Sequence, residues 1–357
     1  MQAASLVVRS VRNLADAALD IPPPGIALLG PNGSGKTSLL EAIGYPVLFR
    51  SLRGARDREL ARHGGPGFHI TVTRSDGGSI AATWSAATGR KVVTVDGVEQ
   101  RGITGALGAW LAVAFLPGDP VLVHGGAAER RRWLDRMLSL ARPAYLSWLL
   151  RYRAALAQRN AALRRGDLRS ATPFDGVLAE AGSAVATARR EWAAPAEAAW
   201  REELAALGEP MAVGLRYRGD DALVDPAAWP ERLAAGQSRD LARGQTHVGP
   251  HRDDLVLTLD GRALRIVGST GQQRSAAIAL RLLERATLAV ARGVHPALLV
   301  DDVFAELDAE RQARLAARLR SQGGQLVVTA PRVDDLPREL ELDRWYVHEG
   351  RVRERAG

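Results

Sequence analysis

The 357-residue sequence contains no cysteine, which removes a disulfide scaffold, a thiolate metal site and a cysteine nucleophile together. The compartment it implies is reducing, or one where redox state does not matter. Long apolar runs are missing as well: nothing approaches the roughly 18 uninterrupted residues of a membrane-crossing helix. The start, Met1–Asn13, has neither the basic region nor the apolar stretch of a secretory leader. These absences lead to the expectation of a cytoplasmic protein that does not enter a membrane.

Lysine is almost absent too. Lys36 and Lys91 are the only two, in a chain whose abundant alanine and arginine point to a GC-rich codon bias. Basic residues number 48 against 40 acidic, a net charge of +8 of the kind that suits a polyanion partner. The bias turns lysine into arginine without adding much total basic content, so charge alone does not decide whether nucleic acid is that partner. The same bias makes a retained lysine informative, since it stands where a flexible point charge is needed and a guanidinium fork fits poorly. Lys36 is that residue.

A chain of 357 residues exceeds the roughly 250–300 at which one core stops growing, so two domains, or one with a large insertion, are expected. Leu6–Val8, Ala18–Ile21 and Ile26–Leu29 are short apolar runs set off by polar or Pro-Gly segments, and read as strands. The third runs into Gly30-Pro31-Asn32-Gly33-Ser34-Gly35-Lys36-Thr37, which fits G-x-x-x-x-G-K-S/T, and Ser38–Ile43 continues as a helix. In that order the glycines let backbone N–H groups curl round phosphates at a helix N-terminus, where the dipole favours anions. Lys36 is then expected to reach the β- and γ-phosphates and Thr37 the Mg²⁺, making ATP and Mg²⁺ the implied cofactors.

Residues alternate between about 66 and 116, as in His69–Thr73 and Lys91–Gly97, which predicts antiparallel strands and a β-lobe beside the P-loop. From about 127 the period becomes helical: Phe174, Val177, Leu178, Ala181, Val185, Ala188 and Trp192 recur at three or four. Pro195 is expected to kink or end that helix. Trp133, Trp148, Trp192 and Trp200 read as packing between helices rather than as base-stacking platforms.

Ala297–Asp302 is an apolar strand ending in paired carboxylates, a Walker B pattern. On a buried parallel strand Asp301 reaches the carboxyl end beside the P-loop, where it is expected to hold Mg²⁺ directly or through water. Asp302 then faces the attacking water, so Asp302, Asp301 and Lys36 are the catalytic candidates. Leu326–Thr329 supplies a further strand, with Thr329 near the γ-phosphate. Ser269-Thr270-Gly271-Gln272-Gln273-Arg274, 32 residues ahead of Asp301, opens an apolar helix for which Ser269 is a plausible N-cap. As a cap it needs no further role. Placed between a P-loop and a Walker B strand, it resembles the signature motif of ABC-type ATPases, whose helix N-terminus binds the γ-phosphate of a second subunit. That resemblance adds Ser269, Gly271 and Gln272 to the nucleotide site and implies a dimer held together by ATP.

Several stretches together resemble the RecF recombination mediator family, related to SMC and Rad50 heads, over nearly the whole chain. They are Arg12-Asn13, the P-loop with Leu39–Ile43, Phe49–Asp57, Phe115–Pro120, Glu129–Arg136, Gly249–Asp254, the signature, and Asp301–Asp308. The arginine run before Trp133 and Gly249-Pro250-His251-Arg252-Asp253-Asp254 are the family-specific parts. Thr270 departs from the expected glycine or glutamine, and Ala305 stands where a serine usually opens the D-loop. The resemblance implies an α/β fold: a P-loop ABC-type ATPase head from about 1–120 and 240–357 with a β-lobe, and a mainly helical arm inserted at 121–239. Arg12 and Asn13 join the nucleotide-binding set.

The function the resemblance implies is ATP-dependent DNA binding in recombinational repair and replication, at single-stranded gaps, junctions and linear duplex. The implied partners are DNA, a second copy of the chain, RecR/RecO-type mediators and the RecA recombinase, with a role in the SOS response. Arg50, Arg53, Arg56, Arg130, Arg131, Arg132 and Arg136 are the candidate phosphate contacts, against the alternative that they form solvated or ion-paired faces. No base-reading motif is visible, so binding through shape and charge is expected. Asp302 takes the place of the glutamate of most ABC-type ATPases and predicts slow, switch-like hydrolysis. A transporter subunit would share the ATP motifs, but the roughly 120-residue insertion and Thr329 in place of a switch histidine argue against it. A Rad50-like tether would need long heptads and a Cys-x-x-Cys hook. A structural DNA-binding module with a degenerate nucleotide site sits poorly with intact Lys36, Thr37 and Asp301.

Overall fold

The computed structural model describes residues 1–209 and 212–355. It is an α/β protein whose described residues divide by contacts into two units. The first comprises Met1–Asp119, Ala206–Gly208 and Glu284–Gly357; the second comprises Pro120–Ala205 and Glu209–Leu283. No helix among the described residues is long and apolar enough to cross a membrane.

The first unit holds two six-stranded sheets. One runs in the order Arg351–Arg355, Asp343–His348, Gly25–Leu29, Leu326–Ala330, Ala297–Asp301, Ala112–Phe115. Its pairings are parallel apart from the Asp343–His348 and Arg351–Arg355 hairpin. Three neighbouring strands, Gly25–Leu29, Leu326–Ala330 and Ala297–Asp301, are buried at every position. Covered on both faces, such strands carry continuous apolar runs instead of alternation. The register sets Leu28 beside Thr329 and Thr329 beside Asp301, so the strand leading into the P-loop and the strand bearing the carboxylates end at one edge.

The other sheet is antiparallel throughout, in the order Ala17–Asp20, Ala3–Arg9, Gly67–Arg74, Ser79–Ser85, Lys91–Val95, Val98–Glu99. Here alternation places Leu6, Val8, Ile70, Val72, Ile80, Ala82 and Val93 in the core. This is the β-lobe.

The second unit is mainly helical, with helices Ala127–Ala141, Pro143–Arg164, Asp175–Ala206 and Trp229–Arg243. It also contains a three-stranded antiparallel sheet, Arg262–Ala263, Asp254–Leu259, Val213–Arg218, that the sequence reading did not separate out. That sheet carries this unit past 239, and the unit continues to Leu283. Val213–Arg218 is paired residue by residue with Asp254–Leu259, and a boundary at 239 would cut between the two strands. The helix from Asp175 does not stop at Pro195 but runs through it to Ala206. Leu178, Ala181, Val185 and Trp192 lie on its buried face. Trp133, Trp192 and Trp200 are buried as packing residues, and Trp148 is partly buried against the cluster of Tyr152, Leu178, Trp229 and Leu233.

Two polar side chains of this unit, Arg159 and His251, are closely engaged. Arg159, 2% exposed, meets Asp240, Asp175 and Thr246. Gly249, at φ +124°, lets the following segment lie against the Tyr152 hydroxyl, which a Cβ there would approach to 2.4 Å. His251 then places Nε2 2.9 Å from the Thr246 carbonyl oxygen and Nδ1 2.5 Å from the Tyr152 hydroxyl. A carbonyl only accepts, so Nε2 carries the proton and Nδ1 accepts from the tyrosine, the arrangement of a neutral ring. Burial pushes the imidazole down to about 4, against a smaller raising effect from the Thr246 carbonyl.

Because the folded ring resists protonation, the unfolded chain binds the extra proton first as pH falls below 6.5, and stability is lost from there toward pH 4. The full effect is on the order of 3 kcal/mol. Thermal unfolding between pH 7 and pH 4.5 is expected to fall more steeply for the protein than for His251→Asn. Equal slopes would mean the ring is not held neutral.

Candidate nucleotide site

The buried strand Gly25–Leu29 delivers the chain to Gly30, where φ is +151° and a Cβ would sit 2.2 Å from the Val347 carbonyl oxygen. Only glycine fits there. The loop ends in Gly35, left-handed at φ 116°, and the helix Lys36–Gly44 starts with no side-chain cap. Its first N–H groups therefore have no side chain to satisfy them, as an anion site requires. Lys36 Nζ donates to the carbonyl oxygens of Gly30 at 2.7 Å and Pro31 at 3.2 Å, folding its ammonium over the loop. Ser34 Oγ is buried without a hydrogen-bond partner among the described residues. A buried hydroxyl left open inside a glycine loop fits a phosphate chain as its missing partner. Pro31, Asn32 and Gly33 form the exposed rim.

Asn13 braces the loop: Nδ2 donates to the Gly33 carbonyl at 3.0 Å, and Oδ1 accepts from Ser38 Oγ at 3.0 Å. Arg12 is committed elsewhere. Its Nη2 lies 2.7 Å from Oε2 of Glu41, a fully buried residue of the P-loop helix, and Ser51 donates to the other oxygen of that carboxylate. Glu41 and Ser51 were not singled out from the sequence, although both lie in stretches that carry the family resemblance.

At the neighbouring strand ends, Thr37 Oγ1 and Asp301 Oδ1 are 2.8 Å apart, and Thr329 Oγ1 is 2.9 Å from the same oxygen and 3.1 Å from Asp302 Oδ1. One hydroxyl proton serves one carboxylate at a time, while Thr329 Oγ1 also accepts the Asp302 N–H at 2.9 Å. Burial raises the Asp301 carboxyl above its ordinary range; hydrogen bonds from Thr37 and Thr329 and the charge of Arg53 oppose this, and Asp302 adds to it. A divalent cation would relieve this. The pair of one hydroxyl and one carboxylate matches Mg²⁺, which takes few protein ligands and fills its octahedron with phosphate and water oxygens. Asp302 itself has φ +50°, in the left-handed region.

The signature residues belong to the second unit. Ser269 Oγ accepts the Gln272 N–H at 3.2 Å, and Gln272 Oε1 accepts the Ser269 N–H at 2.9 Å. This reciprocal capping box opens the helix Thr270–Arg292, with Gly271 in its first turn.

The arginines fall into distinct environments. Arg50, Arg53 and Arg56 are exposed on one loop. Ser51 Oγ accepts the N–H groups of Arg53 and Ala55, and Lys91 Nζ reaches the Phe49 carbonyl at 2.5 Å and Asp57 Oδ2 at 2.7 Å. The second lysine thus clamps the loop at both ends. Its rarity was the available signal. Arg130 departs from the expectation of an exposed phosphate contact. It is buried, its Nε and Nη2 grip both oxygens of Asp254 at 2.9 and 3.0 Å, and its Nη1 donates to the Gly125 carbonyl. Arg132 is exposed and paired with Glu129; Arg131 and Arg136 are half-buried.

The chain as a whole is similar to known proteins. Residues 5–104 match the AAA domain family. A DNA replication and repair protein RecF of Anaeromyxobacter sp. (strain Fw109-5) is 40% identical over 92% of each chain. RecF of Moorella thermoacetica is 38% identical over 89% of this chain and 86% of its own. A solved structure of the recombination mediator protein RecF–ATP in the RecFOR pathway superposes with a TM-score of 0.89 at 27% identity, covering 99% of this chain and 98% of that one. A Smc head domain from Pyrococcus furiosus shares the fold at a TM-score of 0.57 and 14% identity, over 99% of this chain and 95% of its own.

The contrast between Arg130 and Arg132 is measurable. Arg130→Ala leaves Asp254 buried without its fork and is expected to cost about 3–5 kcal/mol in denaturant unfolding. Arg132→Ala, at an exposed pair, should stay within about 0.5 kcal/mol.

Proposed function

The chain belongs to the RecF family of DNA replication and repair proteins, and on that premise we propose that it binds ATP and Mg²⁺ in the Gly30–Thr37 loop and uses slow hydrolysis to time its stay on DNA. The observation that carries this reading is the 2.8 Å contact between Thr37 and Asp301, which joins the end of the P-loop to the Walker B carboxylate. Thr37 and Asp301 would hold Mg²⁺, Lys36 would neutralise the phosphates, and Asp302 would orient and deprotonate the attacking water. Its carboxylate is one methylene shorter than a glutamate, and a displacement of about 1 Å at a reacting group costs on the order of 10²-fold in rate.

The finer reading is a protein of the cytoplasm that closes as a homodimer on ATP, each Ser269-Gly271-Gln272 helix start meeting the γ-phosphate held by its partner. The RecF–ATP relative supports the nucleotide, and the RecFOR pathway of its name supports mediator partners of the RecR and RecO type. DNA, as gaps, junctions or linear duplex, would meet the exposed arginines Arg50, Arg53 and Arg56 through its phosphates. The outcome proposed is faster assembly of RecA filaments on gapped DNA coated with single-strand-binding protein, with the SOS response downstream.

Two variants test the site. Lys36→Met is expected to abolish ATP binding in calorimetry and, with it, the ATP-dependent gain in DNA affinity and in RecA filament assembly. Asp302→Asn is expected to keep Mg–ATP binding while hydrolysis drops. Unchanged ATP affinity in the first, or an unaltered rate in the second, would overturn the assignment of that residue.

Ser269→Arg separates a shared nucleotide site from a helix cap. In a shared site it blocks ATP-dependent dimerisation in sedimentation while each monomer still binds ATP. As a cap alone it costs about 0.5–2 kcal/mol of stability whatever the nucleotide, and dimerisation persists.

A further inference from the structure

The second unit contains a cleft of about 230 Å³ that the nucleotide site does not use. Arg131, Arg132, Arg153 and Arg189 line it, and Asp135 is its one acid. His251, also in the lining, is held neutral, so the four guanidinium groups meet Asp135 in the cleft, with Glu129 beside Arg132 and Asp253 beside Arg131 at its edge, and positive charge remains in excess.

The four are not equivalent. Arg189 is buried and donates to Asp135, Tyr145, Tyr217 and the Pro250 carbonyl. Arg153 takes the other oxygen of Asp135 at 2.8 Å, and Arg132 leans on Glu129. Arg131 is half-buried, donates only to the Asp253 carbonyl at 2.6 Å, and pairs with no carboxylate among the described residues. Three acids lie near enough for it to feel, and all are engaged: Asp254 by the Arg130 fork, Asp135 by Arg189 and Arg153, Asp253 by the Tyr217 hydroxyl. Burial and the charge of Arg189 push the Arg131 guanidinium below its ordinary range. A cation taken partly out of water beside a like charge, with no carboxylate in direct contact, costs stability that an anionic ligand would restore.

We propose that this cleft is a phosphate-monoester site, taking the terminal phosphate of a nucleic-acid strand or of a free nucleotide. A monoester brings close to two negative charges and three strong acceptor oxygens. A diester or a side-chain carboxylate brings one charge and fewer acceptor oxygens, so the monoester engages the free donors of Arg131 and Arg153 most fully. Arg131, pinned through Nη1, keeps Nε and Nη2 for the ligand, and Arg153, with 54% of its side chain exposed, is placed to share it. For the strand-end source this deepens the DNA-binding reading; for the free nucleotide it stands without it.

The test uses the full chain with its P-loop saturated by a non-hydrolysable ATP analogue and Mg²⁺. One arm compares dTMP with thymidine by calorimetry. The other compares, by fluorescence anisotropy, a gapped duplex whose 5′ end at the gap carries phosphate or hydroxyl. At least one phosphate probe is expected to bind about tenfold more tightly than its hydroxyl twin. Arg131→Gln removes that preference and Arg131→Lys keeps part of it. Preference in the first arm alone assigns a free nucleotide, and in the second alone a strand end. The proposal is overturned if neither arm distinguishes phosphate from hydroxyl, if the preference survives Arg131→Gln, or if a hexaglutamate peptide competes as well as dTMP. Should Arg131→Gln not fold, Arg153→Gln carries the same comparison. If the gapped duplex does not bind at all, the DNA-binding reading fails and dTMP alone decides the cleft.

Discussion

The hydrogen bond between Thr37 and Asp301 closes a span of 264 residues, and the nucleotide site depends on it. No local propensity brings these side chains together. They meet because the strands Gly25–Leu29, Leu326–Ala330 and Ala297–Asp301 lie parallel and in register, each too apolar to remain in water. Hydrophobic burial supplies the sheet, and the sheet's carboxyl edge supplies the coincidence of hydroxyl, lysine and carboxylate that a Mg–ATP site needs. An insertion between the two halves is tolerated so long as it leaves that register alone, and the second unit, with its own core around Tyr152, Leu178 and Trp229, is such an insertion.

Much of this was legible because the motifs lie at strand ends. A glycine loop after an apolar run, and paired acids after another, specify both element and position. Side-chain direction within a charged run was less legible. Arg130, Arg131 and Arg132 stand in line in the sequence, yet a helix turns about 100° per residue and presents them to different surroundings. Trp133, Leu134, Met137 and Leu138 mark the buried face, and Arg130, three and four residues before the first two, shares it. That periodicity was available and outweighs charge as a guide. The extent of the inserted unit was hidden for another reason: strand pairing between Val213–Arg218 and Asp254–Leu259 is non-local, and nothing in either segment names its partner.

Lysine is scarce in this chain, and both lysines occupy positions that need a compact point charge. That scarcity picked out Lys36, and it applied equally to Lys91. That ammonium reaches the Phe49 carbonyl and the Asp57 carboxylate and lies 5.4 Å from the centroid of the Tyr45 ring, while the Tyr45 hydroxyl donates to the other Asp57 oxygen at 2.7 Å. A compact point charge with rotatable donors satisfies three differently placed groups at once, where a planar fork would have to choose among them. The clamp holds the loop that carries Arg50, Arg53 and Arg56, while Ser51 ties the same loop to Glu41 of the P-loop helix. Order in this arginine-rich surface rests on residues that are not arginine, the half-buried Lys91 and Asp57 and the buried Ser51.

The left-handed backbone at Asp302 limits which side chains the position accepts. Among residues other than glycine, aspartate and asparagine enter that region most readily, so the turn that lets Asp302 bond Thr329 through its N–H favours a short carboxylate over a longer one. If Asp302 acts on the attacking water, its reach is set by the conformation of the turn as well as by chemistry. The rate of hydrolysis would then be inherited in part from the backbone. Speeding it up would require redrawing the turn after the strand, since lengthening the acid alone would set a poorer fit against the gain in reach.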